Sequence, residues 1–443
     1  MKKLFASVVC IILCLLMTVG SFAATYTPPF DITAKAALLI NLDSGKVIYE
    51  KNANEKIEPS LLAQMMTAIL AIENIDDPDN TVLSMPAYIQ DYVYTKNVAF
   101  NGIYLAGLYK NEQISAKNLM RAVLIRDANE ASMILADYVA DGSMNYFAEL
   151  MNEKAKELGA KDTNFTHPTG LADSEGYTTA YDIAAIAKYA MTIPEYMEMA
   201  NTTFHNGGPT DRQDTLYWNT NNRLITTTSD YYNPYVEAIK SGWHDDLGSY
   251  SVSIAKRDGY TYMCIVMGAT GSGDIKPYHA AFEETNRLYN WAYDTFRVKV
   301  LLEEGKSFGE VPLRLAEGQK DFLRVKAAKS FTALIPADIE VSSIQYDIRL
   351  PESVNAPIKE GDLIGEVHLI LADEEMGVIG LVSSETVNVS RLMMTFDRIA
   401  DMFSTIWFKF VIVFIFMLFT LYAALTIIRN RNRRRYSRRR RMK

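Results

Sequence analysis

Residues 410 to 428 (FVIVFIFMLFTLYAALTII) are nineteen consecutive positions without a charge, long enough to cross the hydrocarbon core of a bilayer as a helix. Nine Arg and one Lys, with no acid, follow directly in 429–443. The positive-inside rule puts such an end in the cytoplasm. At the other end, Lys2 and Lys3 precede an apolar stretch from Leu4 to about Val19 and then Ser21-Phe22-Ala23. That is the pattern of a signal peptide (1–23), with cleavage expected after Ala23 because small residues then occupy positions −3 and −1. The expectation is an exported protein at the cell membrane, with a single span (410–428), an extracytoplasmic ectodomain and a basic cytoplasmic tail (429–443).

The net charge of −8 hides a segregation: the tail carries +10 and Lys2-Lys3 another +2, so the span between carries −20. An acidic middle argues against a nucleic-acid grip, and the Arg run beside an apolar helix reads as a lipid-headgroup-facing tail. With 443 residues, 49% of them hydrophobic and 22% charged, the chain can build a sizeable core and is neither disordered nor collagen-like. Cys10 and Cys14 fall in the signal peptide, leaving Cys264 in an apolar alternating run, read as buried and without a disulfide partner. His167, His205, His244, His279 and His368 are scattered without ligand spacing, so neither a metal nor a cofactor is expected.

Between the ends, residues 36–50 read as two short strands around an Asp43-Ser44-Gly45 turn, and Pro59-Ser60 opens an apolar helix. Helical patterns dominate from about 113 to 200. From about 235 the pattern returns to strands (VEAIKSG, SYSVSIAK, YTYMCIVMGA) with an Arg257-Asp258-Gly259 turn, then a helix near 278–297. Strands at both ends of a helical middle predict one α/β domain, 24–298, whose first and last strands share a sheet. Residues 299–393 read as a small all-β domain, followed by a juxtamembrane segment, 394–409.

The stretches AALLINLDSGKVIYEKNANEKIEPS (36–60), NFTHPTGL (164–171), TTAYDIAAIAKYAM (178–191), TNNRL (220–224) and IKSG (239–242) resemble, in order and spacing, the serine-type D-alanyl-D-alanine carboxypeptidases. These low-molecular-mass penicillin-binding proteins (peptidase family S11) trim the last D-Ala from peptidoglycan stem peptides. The resemblance runs from about 34 to 393. It implies the penicillin-binding-protein/β-lactamase-like fold, an antiparallel sheet with a helical subdomain, then the small all-β domain. It also implies a bacterial cell surface.

Such enzymes need Ser-x-x-Lys at a helix start, where one turn brings a lysine of lowered pKa beside the nucleophile. They also need Ser-x-Asn, and Lys-Thr/Ser-Gly on a strand to grip the substrate carboxylate. Pro59, Met66 and Thr67 match the pattern Pro-Ala-Ser-x-Thr-Lys-x-Met-Thr and set its register, placing Leu61 at the nucleophile and Gln64 at the base. Leucine has no nucleophilic atom and the glutamine amide no usable basicity. Shifting to Ser60 puts Ala63 where the base belongs. In the second motif Asp127 stands where the serine belongs, and Asn129 is kept. A carboxylate there repels a substrate carboxylate and is free to pair with Lys240 or Arg126. The third motif survives as Lys240-Ser241-Gly242. The resemblance therefore implies substrate-binding positions at Asn129, Lys240, Ser241 and Gly242, and no catalytic residue.

No substitute nucleophile stands out. Ser253-Ile254-Ala255-Lys256 is Ser-x-x-Lys in sequence, but on a strand residues three apart face opposite ways. His244 is a candidate base for other chemistry, weighed against a structural or surface role. Cys264 has no acid–base neighbour in sequence. Three readings stay open. The chain is an inactive family member that binds stem peptide or a wall-building partner protein, or an active carboxypeptidase with a misassigned centre, or a structural membrane-anchored interaction protein.

Overall fold

Ala36–Asn41 (β1) is buried along its whole length, and the alternation within it explains why. Ala36, Leu38 and Ile40 join one hydrophobic cluster, while Ala37 and Leu39 point to the other face of the sheet. The computed structural model describes residues 27–95, 105–170, 175–318 and 320–440. The signal-peptide assignment and the last three residues of the basic tail lie outside them. The chain divides into two compact units at Phe296/Arg297.

In the first unit β1 pairs with β2 (Val47–Lys51) and with the last of three later strands, β3 (Val236–His244), β4 (Gly248–Arg257) and β5 (Tyr260–Ala269). The order is β2-β1-β5-β4-β3, antiparallel throughout. The expected sharing of a sheet by the first and last strands is thus observed, with Leu39 opposite Cys264. Asp258 and Gly259 both have positive φ, 53° and 81°, the geometry a two-residue hairpin between twisted strands requires.

Six helices of this unit matter for the site: α1 (Ala63–Asn74), α2 (Ala116–Arg126), α3 (Asn129–Val139), α4 (Met144–Glu157), α5 (Ala180–Ala190) and α6 (Ala280–Thr295). Helix α1 is buried for its first nine residues, as expected of a helix apolar on every side. It contacts α2, α3, α4 and α5 and is the centre of the helical layer. Helix α5 lies against β1 and β5, and α6 against β4 and β5. The start of α2 is capped by Ser115, whose side chain accepts from the Asn118 N–H.

The second unit is built on a six-stranded sheet: β6 (Ser307–Arg314), β7 (Phe322–Ala327), β8 (Gln345–Arg349), β9 (Val354–Asn355), β10 (Leu363–Leu371) and β11 (Glu374–Ser383), in the order β8-β10-β11-β7-β6-β9. Val367, Leu369, Ile379 and Leu381 fill its core. Two helices follow, α7 (Arg391–Ser404) and α8 (Ile406–Arg440). Leu392, Phe396 and Ile399, at i, i+4 and i+7 of α7, are exposed and form one apolar stripe. Within the stretch Ile406–Arg431 of α8, an 18-residue window reaches a mean hydropathy of 2.7. At ~1.5 Å per residue it is long enough to cross a bilayer.

Candidate functional site

A 3₁₀ turn, Ser60–Leu62, leads into α1, so Leu61 and Gln64 stand one turn apart and on one side, as the expected Ser-x-x-Lys pair would. Both are buried, Leu61 at 3% and Gln64 at 0% exposure. Leu61 lies directly over strand β3: a Cβ placed on Gly242 would come within 2.7 Å of the Leu61 Cβ and 2.9 Å of its Cδ1. The position expected for the nucleophile is therefore occupied by an apolar side chain resting on the Lys-Ser-Gly strand.

Gln64 faces the connection between α2 and α3. Its Nε2 donates to the Asp127 carbonyl at 3.2 Å and to Asn129 Oδ1 at 3.1 Å. Asp127 ends α2 in the left-handed conformation (φ 60°, ψ 32°), which aspartate tolerates better than most residues. That turn swings its side chain toward β3. There Asp127 Oδ1 accepts from Lys240 Nζ, and Oδ2 accepts from Asn221 Nδ2 at 3.0 Å. Lys240 Nζ also donates to the Val123 carbonyl at 3.0 Å. The lysine and aspartate side chains are 0% and 3% exposed, and Ser241 and Gly242 beside them are buried as well.

Asp127 thus pairs with Lys240, one of the two partners expected for it. Arg126 instead donates from Nη1 to Asn221 Oδ1 at 3.2 Å. Burial pulls Lys240 below the usual lysine range, and the carboxylate of Asp127 works the other way. Asn221 is a member the sequence reading missed. It lies in the TNNRL stretch, but only the fold brings its amide between Asp127 and the Arg126 carbonyl, which also accepts from it at 3.0 Å. Glu130 was missed too. Fully buried behind Asn129, it accepts from the Gly107 N–H at 2.9 Å, and burial pushes its carboxyl up to about 7.

The weaker candidates do not gather here. Ser253 is buried, with its hydroxyl 3.0 Å from Tyr289 Oη. Lys256 is turned outward to Glu237 at 2.8 Å, as strand alternation requires. His244 accepts from the Asp246 N–H at 3.2 Å, a turn contact. Burial holds the Cys264 thiol well above the usual thiol range. His167 pairs with Thr169 and His205 with Asn118. His279 lies against Tyr278, and His368 sits between Glu366 and Glu375. Among the described residues no three His, Cys, Asp or Glu side chains are placed to hold a metal ion.

Chemically, the arrangement is a closed polar knot beside an apolar side chain, Leu61, at the position expected for the nucleophile. Residues 22–271 match the family model described as D-alanyl-D-alanine carboxypeptidase, and residues 296–389 match that of the penicillin-binding protein 5 C-terminal domain. The chain is 26% identical over 373 residues to the D-alanyl-D-alanine carboxypeptidase DacF of Bacillus subtilis, covering 83% of this chain and 90% of that protein. It is 27% identical over 373 residues to DacC of Escherichia coli, covering 83% and 88%. Among solved structures, the D-alanyl-D-alanine carboxypeptidase DacD of Francisella tularensis shares the fold at a TM-score of 0.60 and 22% identity, over 84% of this chain and 98% of that one. Penicillin-binding protein 5 of Haemophilus influenzae does so at 0.57 and 23%, over 82% and 100%. The chain belongs to the S11 family of D-alanyl-D-alanine carboxypeptidases, the low-molecular-mass penicillin-binding proteins.

Proposed function

We propose that this chain is an exported, membrane-anchored wall protein that keeps the carboxypeptidase fold, lacks acylation chemistry, and acts in peptidoglycan metabolism by binding. One observation carries the reading: Leu61 lies against Gly242 in the nucleophile's place while Asp127 holds the Lys240 ammonium. Acyl transfer needs a nucleophile and a base within hydrogen-bond reach. The side chains at these two positions are a hydrocarbon and an amide. Recognition of a D-Ala carboxylate needs a free cation, and this one is neutralised and buried.

The binding positions expected at Asn129, Lys240, Ser241 and Gly242 then serve a stem peptide only when the Asp127–Lys240 pair opens. The closed arrangement favours a partner protein of the wall-building apparatus over stem peptide as the resident ligand. Helix α8 is the proposed anchor, with its Arg-rich end on the cytoplasmic side, and α7 lies just before it with its apolar stripe exposed.

The test is incubation of the purified full-length chain with a fluorescent penicillin, alongside an active relative, with adducts read by intact mass. No adduct is expected on this chain under conditions that saturate the relative. An adduct overturns the reading, and the modified residue identifies the nucleophile.

A further inference from the structure

A cavity of about 390 Å³ opens between α6, the loop 230–235 and Arg257 at the end of β4, and it shares no residue with the Leu61–Lys240 region. Its size lies within the ~300–1,000 Å³ range of small-ligand sites. Its chemistry is unlike an ordinary surface dimple.

The loop is braced from below. Asn286 Nδ2 donates to the Tyr231 carbonyl at 2.8 Å, and Asn286 Oδ1 accepts from Asn233 Nδ2 at 2.9 Å. The Tyr235 N–H donates to Asn233 Oδ1 at 3.1 Å. On this frame Tyr232 and Tyr235 stay 40% and 48% exposed. Two phenol rings are thus presented to solvent by backbone that is not free to bury them. Arg257 lies over the rings of both Tyr235 (5.5 Å) and Tyr293 (5.4 Å), which holds Tyr235 in place.

The facing wall is one side of α6, where Glu283, Arg287 and Asn290 follow at i, i+4 and i+7. An i,i+4 Glu–Arg pair on a helix ordinarily closes on itself. Here, among the described residues, Glu283 and Arg287 form no ion pair, and neither Arg287 nor Asn290 gives its side-chain donors to another protein group. Arg287 instead rests its guanidinium 4.2 Å from the Phe30 ring centroid. Two carboxylates (Asp230, Glu283) and two guanidinia (Arg257, Arg287) line the cavity, so its formal charge is zero and neither a phosphate nor a cation is favoured.

Exposed tyrosine rings beside planar acceptors, donors and an amide suit a ligand with an apolar C–H face and a rim of hydroxyls that both donate and accept. That ligand is a sugar ring. We infer that this cavity is a carbohydrate-binding site for a neutral oligosaccharide, with Tyr232 and Tyr235 as stacking platforms and Arg287 and Asn290 as hydroxyl-binding groups.

The site goes beyond the inactive-enzyme reading and does not depend on it. The experiment is saturation-transfer difference NMR on the full-length chain, in a detergent without a sugar headgroup, with triacetylchitotriose and maltotriose as probes. Saturation of ring protons is expected for at least one probe. A loss of that signal by at least fivefold is expected in both Tyr232→Ala and Arg287→Ala, with an unchanged signal in Tyr138→Ala, an exposed tyrosine elsewhere. Circular dichroism checks that each variant is folded. No saturation by the folded wild-type chain, or an undiminished signal in the two variants, overturns the site. The penicillin experiment is indifferent to either result.

Discussion

Lys240 and Asp127 face one another with almost no solvent around them, and a buried pair of this kind is costly to break from one side. Removing one partner leaves a lone charge in the interior, so Lys240→Met or Asp127→Asn alone should each cost about 3–5 kcal/mol in urea unfolding. The double variant should recover most of that loss, because no unpaired charge remains, and a double-mutant cycle measures the coupling. Equal and additive losses would show that the pair is not the unit drawn here. Chemistry at the residue scale is equally conditional. Leu61→Ser supplies a hydroxyl but no base, so it should form no penicillin adduct. Adding Gln64→Lys and Asp127→Ser restores all three functional types in register. The triple variant is expected to gain an adduct detectable by intact mass, while the single variant does not.

At the scale of elements, the 3₁₀ turn before α1 and the strand β3 meet where Gly242 has no side chain. An alanine there would put a Cβ 2.7 Å from that of Leu61, closer than carbon atoms tolerate. Gly242→Ala should therefore cost about 1–3 kcal/mol by chemical denaturation, whereas most surface glycines of this fold have open space around them. Glu130 links α3 to the segment at Gly107, and its carboxyl is pushed up to about 7 from 4.5. A raised carboxyl pKa means that the folded state holds its proton longer than the unfolded chain. The contribution of Glu130 is accordingly complete below about pH 4.5 and is lost as pH rises toward 7. Glu130→Gln keeps the acceptor for Gly107 and removes the titration. It should flatten the stability profile across that window and raise stability at pH 8 by up to roughly 3 kcal/mol. An unchanged pH profile would show that Glu130 does not titrate there.

For the whole molecule, the decisive features lie at its C-terminal end. Helix α8 exposes Phe410, Val413, Phe414, Phe416 and Leu421 along its length, an apolar surface that fits the proposed membrane anchor. Truncation after Ser390, removing α7 and α8, should move the protein from the membrane to the soluble fraction while the two folded units keep their circular-dichroism signature. Retention of the truncated chain on membranes would assign the anchoring to a different surface. If α8 is the anchor proposed above, removal of the Arg run alone should weaken attachment only slightly, because the apolar span would carry it.

Much of this was legible in the sequence because the signals are local. The β1–β2 hairpin, the apolar helix after Pro59-Ser60, the turn at Asp258-Gly259 and the nineteen-residue uncharged span are each written in a short window of residues. So is the proposed register, in which Leu61 and Gln64 stand where the family's serine and lysine are expected: a helix start fixes their spacing, and side-chain chemistry does the rest. The long-range contacts were not legible. That Asp127 chooses Lys240 over Arg126, that Asn221 enters the same knot, and that Leu61 covers Gly242 depend on segments far apart in sequence meeting around a sheet whose first strand pairs with its last. Burial is a property of that meeting, and burial turns a surface-like charge pair into a closed site. The sequence by itself determined which side chains stand at the positions expected for the catalytic residues. Only the tertiary structure decided what fills their place, because packing and desolvation are set by neighbours that no local pattern names.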